Sequence, residues 1–503
     1  MIARYRLKFV NLVFLLVSIS LTCICTLSVS GQETEGLNIS IEETVLRALE
    51  NNRAFRIERI NPEIRKTYEN EEKADFDPIV SFDRTQSEST LASGIVDLTR
   101  IKRENNSLDV SKKFSTGTEI SAGVQAQRVD SERSGDQYSA VGQISLNQPL
   151  LKGFGRGATL ANLRKARLAS LASEYELRGF AESLVADVEK TCWDYILAQR
   201  QISIFLESRK LAEEQLDETR KRIKIGKLAE VELYAAEAEV ALRKENLINA
   251  RSNLSLTRLK LQRLINNPGG NPLESMITIT DIPLTATPEI RDVSDHVKNA
   301  LKSRPEINQA KLDIKQDDIE VVRTKNGLLP VLDFFITVGK TGYADSFGDA
   351  FSNIDSGNYD ISAGLSFSYP IKKRADKAKH NRSMLYRRQS EEALKNLEQL
   401  VELDVRSALI EINRAKEQVS ATAATSKLQK ETLRAETEKF RVGKSTALLV
   451  ARAQRDFVQS QLTEIEALIT YLKATINLYQ QEGTLLTRRG INAPGQDPVV
   501  LNN

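Results

Sequence analysis

Histidine is almost missing from this chain: 503 residues hold only His296 and His380. Cysteine occurs three times and tryptophan once. With no H-E-x-x-H and no cysteine pair beyond the N-terminus, a histidine triad or multi-histidine metal site finds no support. Excess charge of one sign is also lacking, with 71 basic against 68 acidic residues. A bulk electrostatic case for nucleic acid is therefore absent. Beyond residue 30 no apolar run reaches the ~18 residues of a membrane helix. If the mature chain enters a membrane, it does so as a closed β-barrel.

What is present begins at the N-terminus. Arg4, Arg6 and Lys8 precede the apolar run Phe9–Leu21, and Ser28 and Ser30 give a small-x-small pattern. This reads as a secretory signal peptide over residues 1–30. A signal anchor, or a lipoprotein modified at Cys23 or Cys25, is the alternative. Cleavage near residue 30 removes three basic residues and no acid, so 68 of each sign remain. It also leaves Cys192 alone, in a helical pattern that suggests a packed thiol.

Proline placement then gives the organisation. All twelve prolines fall outside residues 150–267 and 371–493. Within the first window glycine occurs at 153, 155, 157, 179 and 226; within the second, at 443, 483 and 490. Two stretches so poor in helix breakers, each with one glycine near its middle, predict two helical hairpins. The arm Ala158–Lys221 would measure ~96 Å at ~1.5 Å per residue. In the second hairpin Val401, Val405, Ala408, Ile412, Ala415 and Val419 step by 4, 3, 4, 3, 4, the seam of a coiled coil.

The hairpins belong to an internal repeat. Ala48-Leu49 returns as Ala300-Leu301, and Pro78-Ile79-Val80-Ser81-Phe82 as Pro330-Val331-Leu332-Asp333-Phe334, both at an offset of 252. Leu146–Leu150 matches Phe367–Ile371, and Arg222–Lys227 matches Lys439–Lys444. Each half reads as helix, strands, proline junction, long helix, glycine turn, long helix. The boundaries follow: signal peptide 1–30, first repeat 31–266, linker 267–292, second repeat 293–487 and tail 488–503.

Strand signals sit where the repeat puts them. Leu332, Phe334, Ile336 and Val338 alternate, as do Ile361, Ala363, Leu365 and Phe367. Eight of the 29 aromatics lie between Phe334 and Tyr369, which fits the interfacial girdle of a membrane barrel. Thr85–Asn106 and Lys340–Asn358 read as polar external loops. Ser107–Val129 reads as an additional hairpin in the first half, either in the barrel wall or decorating it.

Other motifs yield to plainer accounts. Gly153-Phe154-Gly155-Arg156-Gly157 has neither dinucleotide-loop nor P-loop spacing. It reads, with Pro149, as a strand-to-helix reversal whose sister junction is Pro370. The basic residues Lys152, Arg156, Lys372, Lys373 and Arg374 would lie near lipid head groups. His296 and His380 read as solvated surface residues. Asp345, Asp349, Asp355 and Asp360 lack EF-hand spacing. No cofactor, metal or catalytic residue is predicted.

Taken in this order, these features resemble TolC-type outer-membrane efflux proteins. The likeness rests on the Ile41–Asn52 opening helix, the Asn147-Gln148-Pro149-Leu150 junction and the Ile225-Gly226 and Val442-Gly443 turns in a duplicated frame. It implies a mainly α fold with a β-barrel portion. Three copies would form an α-barrel tunnel through the periplasm and share one β-barrel in the outer membrane. The implied role is a passive exit duct of a tripartite efflux or type I secretion system. A periplasmic adaptor would join it to an inner-membrane transporter of the RND, ABC or MFS class. By the same resemblance Arg222, Gly226, Lys227, Arg441, Gly443 and Lys444 would dock the adaptor. Where some members narrow the tunnel with aspartates, this chain carries Leu448, Leu449 and Arg452. The alternative reading is a periplasmic coiled-coil scaffold or surface structural protein without a pore.

Overall fold

The computed structural model describes residues 37–501, apart from 94–96, 132–134, 269–272, 274–276, 280–291 and 356. The signal-peptide reading, Cys23 and Cys25, and most of the linker lie outside the described residues. The first half opens with strand β1 (Leu37–Ile39) and helices α1 (Ile41–Asn51), α2 (Arg53–Glu58) and α3 (Asn61–Ala74). Ser40 caps α1 by accepting from the Glu43 amide at 3.1 Å. Four strands follow: β2 (Ile79–Ser93), β3 (Asp97–Lys113), β4 (Glu119–Ser131) and β5 (Gly135–Pro149). A short turn of helix, α4 (Arg156–Thr159), leads into α5 (Ala161–Lys224), and α6 (Val231–Ile265) returns.

Strand β6 (Ile277–Ile279) pairs in parallel with β1 and ties the inter-repeat segment to the start of the chain. The second half runs α7 (Val293–Ser303), α8 (Pro305–Gly327), β7 (Val331–Ala344), α9 (Phe347–Ser352) and β8 (Tyr359–Ser368). It ends with α10 (Arg374–Arg441), α11 (Ala447–Gln481) and α12 (Leu485–Arg488). At 64 residues α5 measures ~96 Å, and α10, at 68, ~102 Å.

The coiled-coil seam is buried as the spacing predicts. Val401, Val405, Ile412 and Ala415 are fully enclosed, and Val419 packs against their cluster. A second core forms where α1, α5, α6 and the β1–β6 pair converge, and Cys192 is buried there.

Among the described residues, all strands but β1 and β6 form one antiparallel sheet in the order β2-β3-β4-β5-β7-β8. Ser107–Val129 thus lies in β3 and β4 and belongs to the same sheet. One expectation is corrected: Thr85–Asn106 is not a loop. Strand β2 runs on to Ser93 and pairs with Asp97–Asn106 of β3. Cross-strand pairs such as Arg100–Glu88, at 3.2 Å, hold this polar extension, whose side chains read as loop because neither face is apolar. Lys340–Asn358 is only partly loop: β7 continues to Ala344 and α9 follows.

Candidate functional site: hairpin tips, junctions and a two-faced sheet

The tips are built twice from one chain pattern. Gly226 (φ 76°) and Gly443 (φ 77°) take the left-handed backbone that closes a helix. Lys227 N–H donates to Arg222 O at 2.9 Å and Gly226 N–H to Ile223 O at 2.9 Å. Lys444 N–H donates to Lys439 O at 2.8 Å and Gly443 N–H to Phe440 O at 3.1 Å, the same Schellman closure.

The two tips also touch. The Arg222 guanidinium donates to Phe440 O at 3.0 Å, lies 4.4 Å from the Phe440 ring centroid, and pairs with Glu218 at 2.8 Å. Arg222 therefore bridges the turns, while Lys227, Arg441 and Lys444 are exposed. Nothing in the sequence pairs Arg222 with Phe440; only the folded hairpins do. Just inside the tip, Leu448, Leu449 and Arg452 share an exposed stripe at the start of α11, with Arg455 and Asp456 one turn further.

At the strand–helix junction the glycine amides point inward to protein partners. Pro149 is the last residue of β5. Gly153 N–H donates to Asn326 Oδ1 at 2.8 Å and Gly155 N–H to Thr116 O at 3.0 Å. Both glycines have φ 87°, and Gly157 packs near Val322. With these amides engaged, the loop is a chain reversal and offers no phosphate cradle. At the sister junction, after Pro370, Lys373 takes the left-handed region at φ 43°. Its ammonium donates to Leu328 O and sits 4.1 Å from the Tyr369 ring centroid. Lys373 is thus buried and does not face lipid head groups, a correction to its sequence reading.

His296 is a second correction. It is buried, with Nδ1 bonded to the fully buried Glu482. His296 and Ala300 occupy the inner face of amphipathic α7, four residues apart, which places the ring in the core. His380 is half-buried, 3.1 Å from Thr324 Oγ1.

The sheet carries the clearest functional signature. One row across all six strands is Val80, Val110, Ala122, Ile144, Val338 and Ile361. The next row is Ser81, Asp109, Gly123, Gln143, Gly339 and Asp360. Successive residues point to opposite faces, so one face is apolar and the other polar. The apolar side chains are not covered by protein: Phe82 is 67% exposed, Ile361 62% and Phe367 66%. Among the described residues nothing pairs with the outer edges of β2 and β8. Among the described residues no helix is long and apolar enough to cross a membrane.

A sheet with one greasy and one wet face, open at both edges and mounted on hairpins whose first arms run ~96 and ~102 Å, fits the subunit of an outer-membrane channel. The chain belongs to the outer membrane efflux protein family, whose model matches residues 117–267 and 296–484. It is similar to nodulation protein T of Rhizobium leguminosarum bv. trifolii, at 21% identity over 305 residues. That match takes in 59% of this chain and 62% of the relative's length. In fold it is similar to the outer-membrane channel OprN, at 16% identity and a TM-score of 0.69, over 88% of this chain and 90% of that one. It is also similar to the open state of the Neisseria gonorrhoeae MtrE outer membrane channel. There the identity is 20% and the TM-score 0.64, over 88% of this chain and 89% of that one. This family and this fold are those of channels, not of enzymes, and place the chain in the outer membrane with its helices in the periplasm.

Proposed function

We propose that this protein is the passive exit duct of a tripartite efflux or type I secretion system, working as a homotrimer. Residues 1–30 act as its signal peptide, and residues 31–266 and 293–487 as its two repeat units, joined by 267–292 and followed by the tail 488–503. The observation that carries the reading is the two-faced, open-edged sheet. Six strands cannot enclose a conducting lumen, whereas three copies pooling their sheets give about eighteen strands, a size that leaves an aqueous channel. The apolar rows then meet lipid and the Ser, Asp and Gln rows line water.

The hairpins prolong that lumen into the periplasm. The exposed Lys227, Arg441 and Lys444, with the turns at Gly226 and Gly443, dock a periplasmic adaptor, and Arg222 holds the two turns in register for it. The adaptor links the duct to an inner-membrane transporter of the RND, ABC or MFS class. Leu448, Leu449 and Arg452 form the narrow inner end, where the Arg452 cation favours anions.

Purified protein in planar lipid bilayers tests this. Stepwise conductance from a species of trimeric mass is expected, with Arg452→Ala moving the selectivity toward cations. A folded monomer that leaves the bilayer insulating overturns the duct and favours a pore-less scaffold. Unchanged selectivity removes Arg452 from the constriction.

A further inference from the structure

Helix α9, in the β7–β8 connection, lies across the sheet on its apolar side. Gly342, whose alternation puts it on that side, approaches so closely that a Cβ there would sit 2.1 Å from Ala350 O. Gly342 is in register with Ala140, and Ala140 with Ala126. Ala350 and Ala140 are fully enclosed and Ala126 nearly so, so small residues form the bed on which the helix rests. Phe347 packs edge-on against Tyr138 with ring centroids 4.7 Å apart. The Ser346 hydroxyl accepts from the Asp349 amide at 3.2 Å on the exposed side. The helix is thus amphipathic, its apolar side turned to the sheet.

Between this helix and the sheet runs a groove of about 510 Å³. Its floor is Phe82, Leu108, Val124 and Ala126, and its wall Phe347 and Phe351. Apart from Asn106 and Ser107 its lining is apolar. Phe82, Leu108 and Val124 form one registered row directly beside Val80, Val110 and Ala122. The groove is therefore continuous with the apolar face described above, and it falls in the ~300–1,000 Å³ range in which small apolar ligands sit.

We propose that this groove seats one acyl chain of an outer-membrane lipid, with α9 lying on the outside of the barrel as a lipid clasp. The inference rests on the outer-membrane channel reading. A loop helix folded into the lumen would have to lie on the Ser81–Asp360 face, and α9 is on the other one. Its two phenylalanines and the floor beneath them present apolar surface continuous with the apolar face, and an acyl chain covers it without leaving polar groups unpaired. The clasp fixes the β7–β8 connection at the membrane rim and keeps the mouth of the pore clear.

The test uses full-length protein in which Trp193→Phe removes the native tryptophan. It is reconstituted in phosphatidylcholine vesicles brominated on the acyl chains. Single tryptophans are placed by Phe351→Trp in the groove wall, Val338→Trp on the apolar face and Thr337→Trp on the polar face. Phe351→Trp is expected to be quenched by bromine as strongly as Val338→Trp, with Thr337→Trp spared. Quenching of Phe351→Trp by aqueous iodide instead overturns the proposal, as does protection from both quenchers, which means that a second copy covers the groove. If Val338→Trp itself escapes bromine, the outer-membrane reading fails, and the two failures are distinct. As a second measurement, Val124→Phe, at a floor position outside the bed of the helix, fills the groove and should lower by one per chain the lipids retained in native mass spectra. An unchanged count overturns the seat.

Discussion

Glu182 shows how one buried carboxyl couples the helices to the chain's last turns. It is 3% exposed, and one oxygen accepts from the Leu486 amide at 3.3 Å. Burial pushes its pKa up from 4.5 to about 7, with the neighbouring Arg178 opposing the shift. Around it Arg178 donates to Gly495 O at 2.8 Å and Gly483 O at 3.1 Å, and Arg489 grips Glu189 at 2.6 and 2.8 Å. Because the folded pKa lies above the unfolded one, the native state holds the proton more tightly. The contribution of Glu182 to stability is therefore fully present in acid and falls as pH rises from about 4.5 through about 7. Glu182→Gln should flatten this slope and stabilise the protein near pH 8 by up to about 3 kcal/mol, read from urea midpoints near pH 5 and pH 8. An unchanged slope in the variant would assign it to another group. No part of this clamp was legible in the sequence. Glu182 looks like any helix carboxylate until the tail folds back on it. Cys192 was legible, because an apolar helical surround is a local property. His296 was misread because its partner, Glu482, is 186 residues away.

At the scale of elements, the long helices were the most readable part. Proline-free windows and a 3.5-residue period are written in the chain itself, and α10 buries the predicted seam. Truncating Ile412, which is fully enclosed there, removes packing that nothing nearby can replace. Ile412→Ala should cost ~2–5 kcal/mol, measured as a lowered denaturation midpoint with helicity retained. The strands were legible only where one face forms an apolar belt. Above that belt β2 and β3 are polar on both sides, and alternation, the signal for a strand, disappears while the ladder persists. Helix α9 was missed for a different reason. Six residues carry too little periodicity to announce a helix, and its seat depends on Gly342 and Ala140 in other strands.

For the whole molecule the repeat is the guide to assembly. At the offset of 252, α3 stands where α8 stands in the second half. Helix α8 is sandwiched between α5 and α10, whereas α3 packs chiefly on α5. Ile64 and Tyr68 of α3 are exposed, as are Ile60 just before it and Ile57 in α2. The position that α10 fills for α8 is thus vacant beside α3, and a neighbouring copy's α10 would fill it. Ile64→Asp should convert the trimer to monomers in mild detergent, seen as a threefold drop in mass by light scattering. A trimer that survives this change places the subunit contact elsewhere.

The ladder joins each strand to the next in sequence except at one place, where β5 pairs with β7 across the whole first hairpin. Tyr138 meets Ala344 there, 206 positions later in the chain. A polypeptide emerging from its translocon therefore has β2–β5 at hand while residues 150–330 arrive ahead of the strand that covers the β5 edge. Biogenesis, more than the mature architecture, is where this topology is exposed to mispairing, because a pairing as non-local as β5–β7 is of the kind that forms slowly.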